Sequence, residues 1–258
     1  HQRVPGVVPS PDFVSNRAAS SLREPWFAVS CCPTNVARTF ASLGAYLATT
    51  DDSGLQIHQY ADSKISTSFG DGRRVSVEVG TAYPADGRML VRVRETDGSP
   101  WALSLRVPHW SSESWLVIGD ERKKVGPGQV VVERNFAVDD VVELELDMTP
   151  RWTWPDPRID SIRGCVAVER GPVVLCVESV DLPDEQSVDT LRVDSASDLE
   201  ESDGVVSAGG SLVAFEDRPW PVHGPVLTGS SEVAIALTPY HDWANRGPST
   251  MRVWMPVG

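Results

Sequence analysis

The sequence predicts a mainly β protein: one helical segment, then two antiparallel β-sandwich domains. Apolar and polar residues alternate through most of the chain after residue 52, in short runs bounded by Gly, Pro, Asp or Ser, as half-buried strands do. Only residues 33–49 carry a helical spacing. A Trp- and Pro-rich stretch, PRWTWPDPRID at 150–160, separates two sets of alternating runs. The expected division is therefore 1–50, 51–152 and 153–258.

Residues 1–25 contain Pro5, Pro9, Pro11 and Pro25 and no sustained periodicity, so they read as a loop. The first residues, HQRVPGVVPSPDF, have neither an initiator Met nor a signal-peptide apolar core, and read as the interior of a longer chain. The helix follows. Val36, Phe40, Leu43 and Leu47 recur at spacings of four, three and four and share one face. Ala37, Ala41, Gly44, Ala45 and Ala48 keep the other faces small, which suits packing on several sides. Pro33 fits the first helical position, where its missing N–H has no partner to lose. The helix is expected to end at residues 49–51.

The first β set comprises LQIHQY (55–60), RVSVEV (74–79), MLVRVRE (89–95), ALSLRV (102–107), SWLVIG (114–119), VVVER (130–134) and VVELEL (141–146). RVSVEV and VVELEL leave one wet face each, as antiparallel sandwich strands do. GDG at 70–72 and GPG at 126–128 read as turns. The second set is CVAVE (165–169), VVLCVES (173–179), DTLRV (189–193), SLVAF (211–215), EVAIALTPY (232–240) and MRVWM (251–255). The acidic stretch 194–210 between them reads as an exposed loop or hairpin.

Composition narrows the function. The 258 residues are 41% hydrophobic and 23% charged, which is ordinary for a globular protein. A net charge of −13 disfavours nucleic acid and anionic membrane as partners and suits a neutral substrate. No apolar run approaches a membrane span. Four cysteines are too few for a disulfide scaffold of this size, which points to a reducing, cytoplasmic setting. Cys165 and Cys176 lie in strand-like runs and read as inert thiols. Of the nine tryptophans, Trp101 and Trp254 border or lie in strands, while Trp110, Trp152, Trp154, Trp220 and Trp243 sit at segment ends. They read as core and interdomain packing more than as a sugar-binding face.

The candidate site is SCCPTNVAR, residues 30–38. With Pro33 opening the helix, Cys32 is its N-cap and Cys31 precedes it, where free N–H groups and the macrodipole favour a thiolate. Adjacent thiols there can be metal ligands, a nucleophile, or two small buried residues. A zinc site needs four ligands. His58, His109, His223 and His241 have no ligand spacing to the pair, and Glu24 reads as an ordinary loop carboxylate. There is no Gly-rich phosphate loop, no G-x-S-x-G, no H-E-x-x-H and no C-x-x-C.

These residues resemble a known family. The segment WFAVSCCPTNVARTFASLGAYLATTDDSGLQIHQY (26–60) resembles the double-cysteine region of glycoside hydrolase family 127, the β-L-arabinofuranosidase family. VAVERGPVVLCVES (166–179) is similar to its R-G-P strand, and LTPYHDWANRGPSTMRVWMP (237–256) to its C-terminal signature; ALSLRVPHW and DVVELELDM fit the sandwich between. The resemblance implies an (α/α)₆ barrel followed by β-sandwiches, with 33–49 as the last barrel helix and 1–50 the end of that barrel. It implies a retaining enzyme whose nucleophile is a cysteine rather than the usual carboxylate. Three cysteines and a glutamate would hold zinc, and a second glutamate would serve as acid/base. Cys31 then matches the nucleophile and a zinc ligand, and Cys32 a second ligand. The remaining groups would lie upstream, so the chain alone is expected to be inactive. The motif reads CCPTN where CCPPN is the more familiar form. The expected partners are an arabinoside substrate and the N-terminal barrel, with a homodimer left open. The alternative is a non-catalytic β-sandwich for carbohydrate binding or scaffolding.

Overall fold

The computed structural model describes residues 31–183, 186–215 and 227–258. These fall into two compact units, one within Trp26–Thr149 and one within Pro150–Gly258. Helix α1 spans Cys31–Ser42 and tightens into a 3-10 turn at Leu43–Tyr46. It thus starts two residues before Pro33. The cost is small, because no N–H in a first helical turn has an intrahelical acceptor. It also stops short of residues 49–51, since Ala48–Thr50 is strand β1. The β-branched Thr49 and Thr50 favour an extended backbone, and β1 pairs with β2 (Gly54–Ile57) through Thr49↔Gln56 and Thr50↔Leu55. The Asp51 carboxylate shapes the turn between them by accepting the N–H groups of Ser53 at 2.8 Å and Gly54 at 3.1 Å. Those hydrogen bonds, led by the Ser53 hydroxyl, hold the Asp51 carboxyl below the usual carboxylate range.

The first unit continues with β3 (Ser63–Ser68), β4 (Arg74–Thr81), β5 (Arg88–Glu95), β6 (Pro100–Val107), β7 (Ser114–Ile118), β8 (Glu121–Val125), β9 (Gly128–Asn135) and β10 (Val141–Glu145). They form two sheets, β1-β2-β6-β9 and β3-β4-β5-β10-β7-β8. One pair departs from the antiparallel rule: β2 runs parallel to β6. Gly54 permits that approach, because a Cβ there would stand 1.9 Å from the Ala102 carbonyl oxygen. Strands β3 and β8 carry no expectation from the sequence. Both are edge strands, SKISTS and ERKKV, whose polar and charged residues blunt the sheet edge and hide the alternation.

The inward residues of both sheets meet in one core, with Ile57, Leu103 and Leu105 from the smaller sheet against Val77, Val91, Val93 and Leu144 from the larger, all 0% exposed. Trp101 fills its end, with ring centroids 4.5 Å from Phe136 and 6.1 Å from Phe69. Arg73 and Arg134 cap these rings at 5.3 and 5.7 Å.

The second unit holds β11 (Pro150–Thr153), β12 (Cys165–Arg170), β13 (Val173–Glu178), β14 (Leu191–Val193), β15 (Glu200–Ser202), β16 (Val205–Phe215), β17 (Leu227–Pro239), β18 (Met251–Arg252) and β19 (Met255–Pro256). The main path is β11-β12-β13-β17-β16-β14, with β15 on β16, β18 on β13 and β19 on β12. Its layers come from one sheet that curls back on itself. Val257 bridges to Val193 on β14, and the Gly258 N–H reaches the Val193 carbonyl at 2.9 Å, while β19 is paired with β12. Val166, Val177, Leu191, Ile235 and Met255, all 0% exposed, fill the enclosed space. The stretch 194–210 contains the β15–β16 hairpin, turning through Asp203 and Gly204 at φ +51° and +77°. The first four residues of the Trp/Pro-rich stretch are β11 rather than loop.

Trp101→Ala is expected to destabilise the protein by about 3–5 kcal/mol, because it empties a filled core site and strips both flanking phenyl rings of a partner. Denaturant unfolding monitored by circular dichroism measures it. A loss under about 1 kcal/mol would mean that the site collapses around the missing ring.

Candidate functional site

Cys31 and Cys32 open α1, with their Sγ atoms 3.8 Å apart and both side chains exposed. They belong to the first helical turn, so neither is the N-cap expected from the sequence. The reading as two small buried residues is not what the structure shows. Behind them the turn is tied by side-chain hydroxyls: Thr34 donates to the Cys31 carbonyl at 3.0 Å, and Thr39 to that of Asn35 at 3.0 Å. Threonine thus takes the second place after the cysteines without disturbing the helix.

The electrostatics are asymmetric. A helix N-terminus favours a thiolate, yet the Cys32 thiol is pushed up from its ordinary value, first by its hydrogen bond with Cys31 and then by the charge on that sulfur. Two sulfurs this close resist carrying two negative charges. A bound cation reverses that penalty and lets both deprotonate. Tetrahedral zinc with Zn–S bonds of about 2.3 Å sets two thiolates about 3.8 Å apart, which matches the observed separation of 3.8 Å. The pair therefore fits half of a zinc site. Among the described residues, no third His, Cys, Asp or Glu stands with it.

The other candidates named from the sequence lie elsewhere. His58 Nε2 is 2.7 Å from the Thr49 hydroxyl, and His241 is 3.3 Å from Asp242. Cys176 is fully buried in β13 and Cys165 half-buried in β12. Glu24, Trp220 and His223 fall outside the described residues. Trp101 is core; Trp110 and Trp152 pack against the two cores, whereas Trp154 is 61% exposed.

The rest of α1 shows the second half of the site's character. Val36, Phe40 and Leu43 from the sequence-derived face are 52%, 71% and 45% exposed, and Tyr46 is 60% exposed. No residue of α1 is buried. A contiguous apolar face of this kind marks a contact surface. Tyr46 was not legible as part of it, because it lies off the 3.6-residue stripe and joins the face only through the 3-10 turn. The helix is fastened to the first sandwich through the Leu47 carbonyl, which accepts the N–H groups of His58 at 2.8 Å and Gln59 at 3.2 Å.

In the folded chain, Cys31 and Cys32 are expected to alkylate rapidly and Cys176 only after unfolding, at a rate at least ~100-fold slower under native conditions. Mass-spectrometric mapping after timed iodoacetamide exposure reads the order. Rapid native labelling of Cys176 would contradict the core described for the second unit.

The chain resembles known proteins over nearly its whole length. Residues 54–148 match the model of the β-L-arabinofuranosidase GH127 middle domain, and residues 150–256 that of the glycoside hydrolase family 127 C-terminal domain. A non-reducing end β-L-arabinofuranosidase of Bifidobacterium longum subsp. longum is 30% identical over 256 residues, covering 91% of this chain and 38% of its own length. Among solved structures, a GH127 β-L-arabinofuranosidase from Geobacillus stearothermophilus T6 superposes with a TM-score of 0.78 at 29% identity, across 94% of this chain and 40% of that one. A second, described as a glycoside hydrolase, gives a TM-score of 0.76 at 26% identity over 95% of this chain and 43% of its own. The chain thus spans about two fifths of the length of these relatives. The paired cysteines, the two matched domains and the shared fold lead to one conclusion: the chain belongs to glycoside hydrolase family 127, of which it carries the C-terminal portion.

Proposed function

We propose that this chain is part of a retaining, zinc-dependent glycosidase that releases β-L-arabinofuranose from arabinosides, with Cys31 as nucleophile. The observation that carries the reading is the exposed thiol pair at 3.8 Å, which matches two ligands of one tetrahedral zinc ion. Cys31 and Cys32 would hold the metal, together with a further cysteine and a glutamate from the preceding part of the polypeptide. Zinc bound there would keep the thiols deprotonated at neutral pH.

The residues of this chain supply one half of the chemistry. The Cys31 sulfur attacks the anomeric carbon, forming a C–S bond as the glycosidic C–O bond breaks. A carboxylic acid from the preceding part protonates the departing oxygen, and its carboxylate then takes a proton from the water that displaces Cys31. Two inversions give retention. Helix α1 fixes the position of the sulfur, and its bare apolar face seats against the preceding helices of an (α/α)₆ barrel. The first β unit acts as the mount for that helix. The chain by itself is inactive in this reading, because acid, remaining ligands and sugar pocket lie outside it. The use of cysteine fits a cytoplasmic location.

In the full-length enzyme, Cys31→Ser is expected to lower hydrolysis of an aryl β-L-arabinofuranoside by about three orders of magnitude or more. Undiminished turnover would remove Cys31 as nucleophile. Cys32→Ser should instead lower the zinc content, read by elemental analysis after dialysis against a weak chelator; an unchanged zinc stoichiometry would remove it as ligand.

A further inference from the structure

The C-terminal stretch 237–256 contains a segment that the proposed chemistry does not use. Residues 240–250 leave β17 and return to β18, and they are threaded onto one buried carboxylate. Glu178, at the end of β13, is 0% exposed. Its Oε1 accepts the Ala244 N–H at 2.8 Å, and its Oε2 accepts from Arg246 Nη2 at 2.6 Å. The same guanidinium grips Asp181 with both nitrogens, at 2.7 and 2.6 Å, and donates to the Thr238 hydroxyl at 3.1 Å. At the far end, Thr250 and Ser179 exchange two hydrogen bonds: the Ser179 N–H reaches the Thr250 carbonyl at 2.8 Å, and the Thr250 N–H reaches the Ser179 hydroxyl at 3.0 Å.

Few residues of this segment are fully buried. Only Ala244 and Ser249 within it are fully buried, with Trp243 half-buried beside them. Its backbone also turns through positive φ at Ala244 (+61°) and Gly247 (+124°), and the first of these is unfavourable for a residue with a Cβ. A segment held by polar contacts and bent through an unfavourable backbone angle opens more easily than the sheet beneath it. A carboxylate as deeply buried as Glu178 is strongly disfavoured without its cation, so the guanidinium is what fixes the closed form. Asp181 and then Glu178 hold Arg246 well above its ordinary pKa. The neighbouring charges are engaged elsewhere: Arg252 of β18 faces Asp189 at 3.1 Å, and His241 faces Asp242.

We propose that residues 240–250 form a strap latched by Glu178, Asp181 and Arg246, and that breaking this ionic latch opens the strap as a unit while the sheet stays folded. Opening would bare the ends of β13 and β17, a surface that the closed strap covers.

Native-state hydrogen exchange followed by mass spectrometry tests this on the whole chain. In the wild type, the amides of 240–250 should exchange through a common opening that leaves β12 and β13 protected. Glu178→Gln keeps the shape and the acceptor for Ala244 but removes the charge; Arg246→Lys keeps a charge but loses the fork. Each is expected to speed exchange in 240–250 by about tenfold or more, with Glu178→Asp the milder change, and to leave β12, β16 and β17 unchanged. Exchange unaltered in 240–250 would overturn the proposal. So would a parallel rise across the strands, or failure of both variants to fold, since the clasp would then hold the unit as a whole.

Discussion

The carbonyl of Leu47 is the joint on which the candidate site depends. It accepts two backbone N–H groups, from His58 and Gln59, at the point where the helical segment meets the first sheet. Only β1 and the Asp51 turn separate this joint from β2 in the core, so the helix leaves the sandwich in one direction. With about 1.5 Å of rise per residue, the 12 residues of α1 carry the thiols about 18 Å from its C-terminal end. A rigid sandwich is what makes that lever useful. Its core is continuous from the β2 residues Leu55 and Ile57 to the far sheet, so the joint at the base of the helix stands on a well-packed unit.

Helix and thiols fall short in the same way. An isolated helix of 12 residues is marginal in water, and α1 buries none of its side chains. Covering Phe40 alone would contribute about 2 kcal/mol. In the proposed reading the thiols likewise would supply only two of the four ligands of a zinc ion. One packing partner that covers the apolar face and brings further ligands would meet both needs, which is why metal binding and docking of the helix belong together in this reading.

The two units solve the burial problem differently. The first closes two sheets face to face, with Trp101 and its neighbouring rings plugging one end. The second curls one sheet and closes it with its last residues, through Val257 and Gly258 onto Val193. Polar groups inside both are paired: Ser111 bonds Ser114 at 2.8 Å in the first, and Glu178 bonds Arg246 in the second. Among the described residues, no buried side-chain nitrogen or oxygen lacks a partner. The second arrangement stakes more on electrostatics, since a single guanidinium neutralises a carboxylate that solvent does not reach.

Alternation in segments such as RVSVEV and VVELEL is a local property, so the strands and the mainly β class were legible from order alone. The thiol pair was legible as adjacent cysteines at the start of a helix, but its separation was not. Strands β3 and β8 were not legible, because the polar and charged residues of SKISTS and ERKKV hide the period. Nor was the end of the helix, where pairing of Thr49 with Gln56 overrode a helical spacing that continued to Leu47. The sequence by itself determined the element types, the place of the cysteines and the family that they resemble. Tertiary structure alone decided the parallel β2–β6 contact, the 3.8 Å sulfur separation and the burial of Glu178 beneath Arg246. Each of these depends on residues brought together by backbone geometry or by distant pairing, and a linear pattern holds no record of such distances.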